Sequence, residues 1–170
     1  MIKAIAKLII ALNGNVKKSQ VAAGFAWGLL LGLIPIGNFF WIVLFLVSFF
    51  FSNNHASKIF GMAVIKLFSP LIAPEVDVFG WQVLHIEALQ PLFTAMYNMP
   101  FVPFTKFNNT LVMGGLASGA LLWLPVFFIF LALIPLYRKY VAAKIKESKI
   151  LKKILKFPLF KIIEKALFSK

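Results

Sequence analysis

VAAGFAWGLLLGLIPIGNFFWIVLFLVSFFF, residues 21–51, is a run of 31 uncharged residues interrupted at its midpoint by Pro35-Ile36-Gly37-Asn38. Its length decides how the chain must be read. A straight membrane span needs about 20 apolar residues to cross roughly 30 Å of hydrocarbon, so this run is too long for one crossing. Each half alone, 21–34 or 39–51, reaches only about 20 Å at 1.5 Å per residue. The segment is therefore either a kinked and tilted span or a pair of half-helices that dips into one face and returns.

The whole chain supports a membrane setting. Of its 170 residues, 61% are hydrophobic, against about 45–50% apolar usage in soluble domains. There is no cysteine among them, which removes disulfides, thiolate metal sites and cysteine nucleophiles. The net charge of +13 is unevenly placed: residues 1–20 carry +4, residues 21–137 are neutral, and residues 138–170 carry +9. Lys and Arg accumulate on the cytoplasmic side of membrane proteins, so both termini are expected there. The first residues do not read as a signal peptide, because Lys7 interrupts the apolar run and no small-residue cleavage site follows. Ile2, Ile5, Ile9 and Leu12 instead share one helical face, as in a short helix lying on the membrane surface.

A second run resembles the first. Gly24-Phe-Ala26-Trp-Gly28 is echoed by Gly115-Leu-Ala117-Ser-Gly119, with Pro35 and Pro125 following one residue out of step. The second run, residues 110–137, holds 28 uncharged residues and is again interrupted by proline. A candidate repeat thus pairs 17–51 with 106–137, joined by a connector over 52–105 with shorter helices. Two cytoplasmic ends require an even number of crossings. Either both long segments cross, as an inverted repeat, or both are re-entrant; two crossings are the preferred expectation. A mixed arrangement needs residues 59–73 to cross as well, and Lys66 at the centre of that short run argues against it.

Gly24, Gly28 and Gly32, with Gly115 and Gly119, are small-residue stripes that let helices approach closely in lipid. Pro35, Gly37 and Pro125 mark helix breaks. Asn38 is placed to cap a helix starting at Phe39, and a capped helix start offers N–H groups and a positive dipole end to an anion. Asn108 and Asn109 occupy the same place before the second long run. Lys66, an ionisable residue inside an apolar run, is a functional candidate by default.

With Gly24, Gly28, Gly32 and Pro35 in place, and Ser69-Pro70-Leu-Ile-Ala-Pro74 further on, residues 17–75 resemble the domain-of-unknown-function 2062 family of bacterial membrane proteins. The family carries asparagine where this chain has Ser69. The resemblance implies a protein of the bacterial inner membrane and supplies no activity. Relatives joined to glycosyltransferases imply work near lipid-linked sugars.

Catalytic chemistry has little to build on. The two histidines and one aspartate leave His85-Ile86-Glu87 and Glu75-x-Asp77 as the densest polar groups, and both read as solvated or interfacial side chains. No enzyme activity, metal or cofactor is expected. The tail, residues 138–170, alternates Lys149, Lys152, Lys153 and Lys156 with Ile150, Leu151, Ile154 and Leu155, a basic amphipathic pattern. Each basic residue beside an anionic leaflet contributes about 1 kcal/mol, so anionic lipids are expected partners, and nucleic acid is not. The sequence is read as an all-α integral membrane protein: a membrane domain over 1–137 and a cytoplasmic tail over 138–170. Its function is expected to be binding or translocation of a small or lipid-linked anion at the broken helices, through Asn38, Lys66, Asn108 and Asn109. The competing expectation is a non-catalytic scaffold for a membrane-associated enzyme such as a glycosyltransferase, acting as a homo-oligomer or through a protein partner.

Overall fold

A computed structural model describes Leu12 and residues 16–141 of the chain. The expected surface helix at the N-terminus and most of the basic tail lie outside these residues. All regular structure among the described residues is helical: α1 (Lys18–Leu33), α2 (Phe39–Val47), α3 (His55–Leu84), α4 (Gln90–Tyr97) and α5 (Thr110–Leu136). Short 3₁₀ turns at Glu87–Leu89 and Val102–Thr105 flank α4, and a π-helical turn at Tyr137–Val141 extends α5.

The 31-residue run forms α1 and α2, and it returns to the end from which it started. Asn54 N donates to Gln20 O at 2.8 Å, so the exit from the run lies beside its entrance. Trp41, Leu44 and Val47 of α2 fold back onto a cluster of Trp27 and Leu30 on α1 and Ile34 just past its end. From Asn54 the chain enters α3, whose 30 residues extend about 45 Å at 1.5 Å per residue. Its 27-residue counterpart α5 comes back along α1 and α3. Arg138, just past α5, donates through Nε to Leu12 O at 2.7 Å and through Nη2 to Val16 O at 2.8 Å. One end of the molecule therefore gathers Leu12, Val16, Gln20, Asn54 and Arg138.

Glycine brings all three long helices into backbone contact. Along α1, Gly24 faces Ser57, Gly28 faces Lys58 and Gly61, and Gly32 faces Ile65. The constant offset makes α1 and α3 parallel neighbours. A methyl group at Gly28 would stand 2.6 Å from Lys58 O, and one at Gly115 would stand 2.7 Å from Leu33 O. Gly119 faces Leu30, so α5 runs antiparallel to α1. At the opposite end α3 meets α5 through Gly80 and Gly114, whose neighbours are Thr110 O and Val76 O. Where lipid surrounds a protein, close van der Waals approach replaces the hydrophobic force that drives helices together in water. As a result α1 is enclosed, with Val21, Ala22, Ala26, Leu31 and Ile34 fully buried.

Three expectations need correction. Pro125 does not break a helix: α5 runs through Pro125 and Pro135, and α3 runs through Pro70 and Pro74. In apolar surroundings, opening a helix exposes more backbone than a proline does, and neighbouring hydroxyls can satisfy what it frees. Ser69 Oγ does this for Lys66 O, four residues before Pro70, at 3.0 Å. The connector is likewise not made of short helices only, since it holds α3, the longest helix described. Residues 59–73 are the middle of that helix, and Lys66 fits because its long side chain reaches out of the apolar run to a backbone oxygen. The two glycine segments also differ in fate. The first turns back at residues 34–38, whereas the second continues for the full length of α5.

Among the described residues, α3 and α5 are the two helices long and apolar enough to cross a membrane. A core helix of a water-soluble domain would bury most of its residues. Here Leu67 and Leu71 on α3 are 74% and 76% exposed, and Leu121 and Phe128 on α5 are 68% and 60% exposed. Apolar faces this extensive require a covering, in keeping with a membrane setting. The glycine contacts lead to a stability test. In detergent micelles, Gly28→Leu is expected to lower unfolding stability by at least the 1–3 kcal/mol or so typical of overpacking. Gly37 has a φ of +95° and open space around it, so Gly37→Ala is expected to cost about 1–2 kcal/mol through backbone strain alone. Equal midpoints for Gly28→Leu and the parent would contradict the packing.

Candidate functional site

The turn between α1 and α2 frees carbonyl groups that water does not reach easily, and three side chains take them up. Trp41 Nε1 donates to Leu31 O at 2.9 Å. Lys66 Nζ, arriving from α3, donates to Ile34 O at 2.6 Å. Asn38 Nδ2 donates to Pro35 O at 2.7 Å, while its Oδ1 accepts from Trp41 N at 2.7 Å and caps α2. Asn38 is thereby buried, with both ends of its amide bonded to the turn. Its amide shapes the turn, and further donors stand beside it.

Pro35–Asn38 form one wall of a pocket of about 300 Å³, and Lys106, Asn109, Leu111 and Val112 form the other. Asn109 caps α5 by accepting from Val112 N at 3.0 Å. Two asparagine-capped helix starts, α2 and α5, thus border the same pocket. The first N–H groups of a helix have no intrahelical acceptor, and the helix dipole places partial positive charge there. Lys106 adds a full charge. Its backbone is in the left-handed region, φ 54°, at the end of the 3₁₀ turn Val102–Thr105, a conformation that costs a non-glycine residue of order 1–3 kcal/mol.

A second, smaller cavity of about 110 Å³ adjoins this pocket, since Pro35 and Leu111 line both. It contains Lys66 and Ser69 among apolar neighbours. Asn38 and Asn109 therefore share one pocket, Lys66 lies in the next cavity, and Asn108 faces away from both. Asn108 lines a separate recess of about 420 Å³ with His85, Gln90, Tyr97 and Asn98. Glu75, Asp77 and Glu87 do not converge with the histidines, and no group of three metal-binding side chains occurs among the described residues. Asp77 instead accepts from Thr110 Oγ1, tying α3 to the start of α5.

Several functional positions were not evident from the sequence. Lys106 and Trp41 carried no local signal, because their partners lie in the turn or on another element. Lys58 is 1% exposed, donates to Ser48 Oγ at 2.7 Å and lies 4.0 Å from the centre of the Phe49 ring. A cation over an aromatic face is attracted by the ring quadrupole, and this contact fastens the loop after α2 to α3. Its three-residue spacing from Gly61 was the available sign that Lys58 faces inward. The importance of the turn can be measured with Trp41→Phe, which keeps the ring and removes the indole donor. It is expected to destabilise the protein by about 1–3 kcal/mol, the cost of leaving one buried carbonyl unpaired. An unchanged unfolding midpoint in detergent would show that Leu31 O needs no partner.

No family model matches the chain, and no solved structure matches it. An uncharacterized protein of Treponema pallidum (strain Nichols) is 32% identical over 161 residues, covering 95% of this chain and 99% of that protein. The similarity runs through nearly the whole of both molecules, glycine-packed helices and pocket segments together. The chain belongs to the same family as this Treponema pallidum protein.

Proposed function

We propose that this is a protein of the bacterial cytoplasmic membrane that binds a small or lipid-linked anion in the pocket between the α1–α2 turn and the start of α5. The observation that carries this reading is the convergence of two asparagine-capped helix starts and Lys106 on one pocket. Backbone N–H groups and positive dipole ends suit an anion, and an ammonium group supplies a charge-assisted hydrogen bond. Among the described residues, no carboxylate lines the pocket to neutralise them.

The charge distribution supports an orientation. Leu12, Val16, Gln20, Asn54 and Arg138 share one end of the molecule. The basic residues of the chain are concentrated in the sequence before residue 21 and after residue 137, and basic segments favour the cytoplasmic side. On this reading the α1–α2 hairpin is re-entrant from the cytoplasm, α3 crosses outward, and α5 crosses back. It is the mixed arrangement, with α3 providing the additional crossing. The pocket then lies toward the non-cytoplasmic side, at the opposite end from Arg138.

The test is direct titration of the detergent-solubilised protein with glycerol phosphate. Asparagine tolerates a left-handed backbone, so Lys106→Asn removes the charge without adding strain. It is expected to weaken binding about tenfold or more, the scale of a hydrogen bond to a charged group. Lys18→Ala, a change at an exposed lysine away from the pocket, should leave binding unchanged. Equal loss in both variants, or none in either, would contradict the assignment.

A further inference from the structure

Below the Lys66 cavity, α3 and α5 separate over the floor made by α1 and leave a groove of about 300 Å³. Phe25 and Leu29 form its floor, Val64 and Ile65 one wall, and Val126 and Phe130 the other. Every described residue lining it is apolar. The aromatic side is firmly set: the Phe25 and Phe130 rings stack at 4.0 Å, and Phe60 meets Phe25 edge-on at 6.4 Å. The groove lies within the apolar stretches of the two helices long enough to span a membrane, so the medium that reaches it is hydrocarbon rather than water.

The groove and the Lys66 cavity follow the same helix faces. Leu29 of the groove and Leu33 of the cavity are four residues apart on α1. Ile65 and Ser69 are four apart on α3. Positions i and i+4 share a face of a helix, so an apolar trough leads toward a lysine. Lys66 has no carboxylate partner among the described residues, and its ammonium group donates to the carbonyl of Ile34. Beyond it, Pro35 and Leu111 line both its cavity and the Lys106 pocket, so the two adjoin. An uncompensated cation within an apolar span calls for an anion, and a trough of this lining calls for an acyl chain.

We infer that the ligand is an anionic phospholipid or a similar amphiphile, with an acyl chain in the groove between α3 and α5 and its phosphate held at Lys66 and Lys106. This assignment rests on the anion reading above and commits it to a lipid rather than a soluble anion. The charges select the headgroup, and the apolar trough, one helical turn from the Lys66 cavity on α1 and α3, selects the tail.

The test uses the protein reconstituted in dioleoyl phosphatidylcholine vesicles that contain phosphatidylglycerol with a photoactivatable group at mid-chain. Illumination should label Leu29, Val64 and Val126 about tenfold more than the lipid-facing Leu67 and Leu121, the ratio given by a preference of about 1.4 kcal/mol. The same probe on a phosphatidylcholine headgroup should not show this enrichment. Val126→Trp fills the groove and should remove it, although mapping on the parent protein decides the question without any variant. Even labelling of all lipid-facing positions would overturn the inference, and so would equal enrichment from the two headgroups. Glycerol phosphate separates the two readings. If it still binds with Lys106-dependent affinity while the label is dispersed, the groove fails and the anion site stands. If it does not bind and the two headgroups label alike, both fail.

Discussion

A chain that turns within apolar surroundings frees carbonyl oxygens for which there is no water, and each one left unpaired costs several kcal/mol in hydrocarbon. In this protein the turn at residues 34–38 meets that constraint with three donors: Trp41 to Leu31 O, Lys66 to Ile34 O and Asn38 to Pro35 O. Much else follows from them. Trp41 holds α2 against α1, so the 31-residue run becomes a hairpin. Lys66 can reach Ile34 only because α3 lies parallel to α1, and that alignment depends on Gly24, Gly28 and Gly32 accepting the backbone of α3. The same turn then forms one wall of the pocket completed by Lys106 and Asn109.

This arrangement gives polar residues in apolar segments a double role. Asn38 and Lys66 are structural donors first, and their hydrogen bonds place charge and helix ends around a cavity. Lys58 illustrates the structural extreme, buried against Ser48 and the Phe45 and Phe49 rings. It anchors the segment that leads from α2 back to the entrance of α1.

The sequence was legible where local chemistry decides the outcome. The apolar content, the excess basic charge at both ends, the close spacing of Gly24, Gly28 and Gly32, and asparagine before helix starts all describe short-range physics. Two of the residues singled out on that basis, Asn38 and Asn109, line the same pocket. The reading lost ground wherever a distant partner decides. Proline suggested a break at residue 125, but packing on α1 and α3 carries α5 through it. Lys66 seemed to disqualify residues 59–73 as a span, because its acceptor at Ile34 lies 32 residues away in sequence. Gly80 and Gly114 gave no stripe to notice, as each matters only through the other helix.

The central claim is that residues 21–51 enter and leave on one side while α3 and α5 carry the crossings. The native chain has no cysteine, so single introduced thiols report location cleanly. The most direct measurement is labelling of Ser52→Cys and Glu87→Cys in intact cells with an impermeant thiol reagent. Ser52 follows the hairpin and Glu87 follows α3. The account predicts that Glu87→Cys reacts from outside and Ser52→Cys reacts only after the membrane is opened. Reaction of both from outside would mean that residues 21–51 cross the membrane. Protection of both would mean that α3 does not.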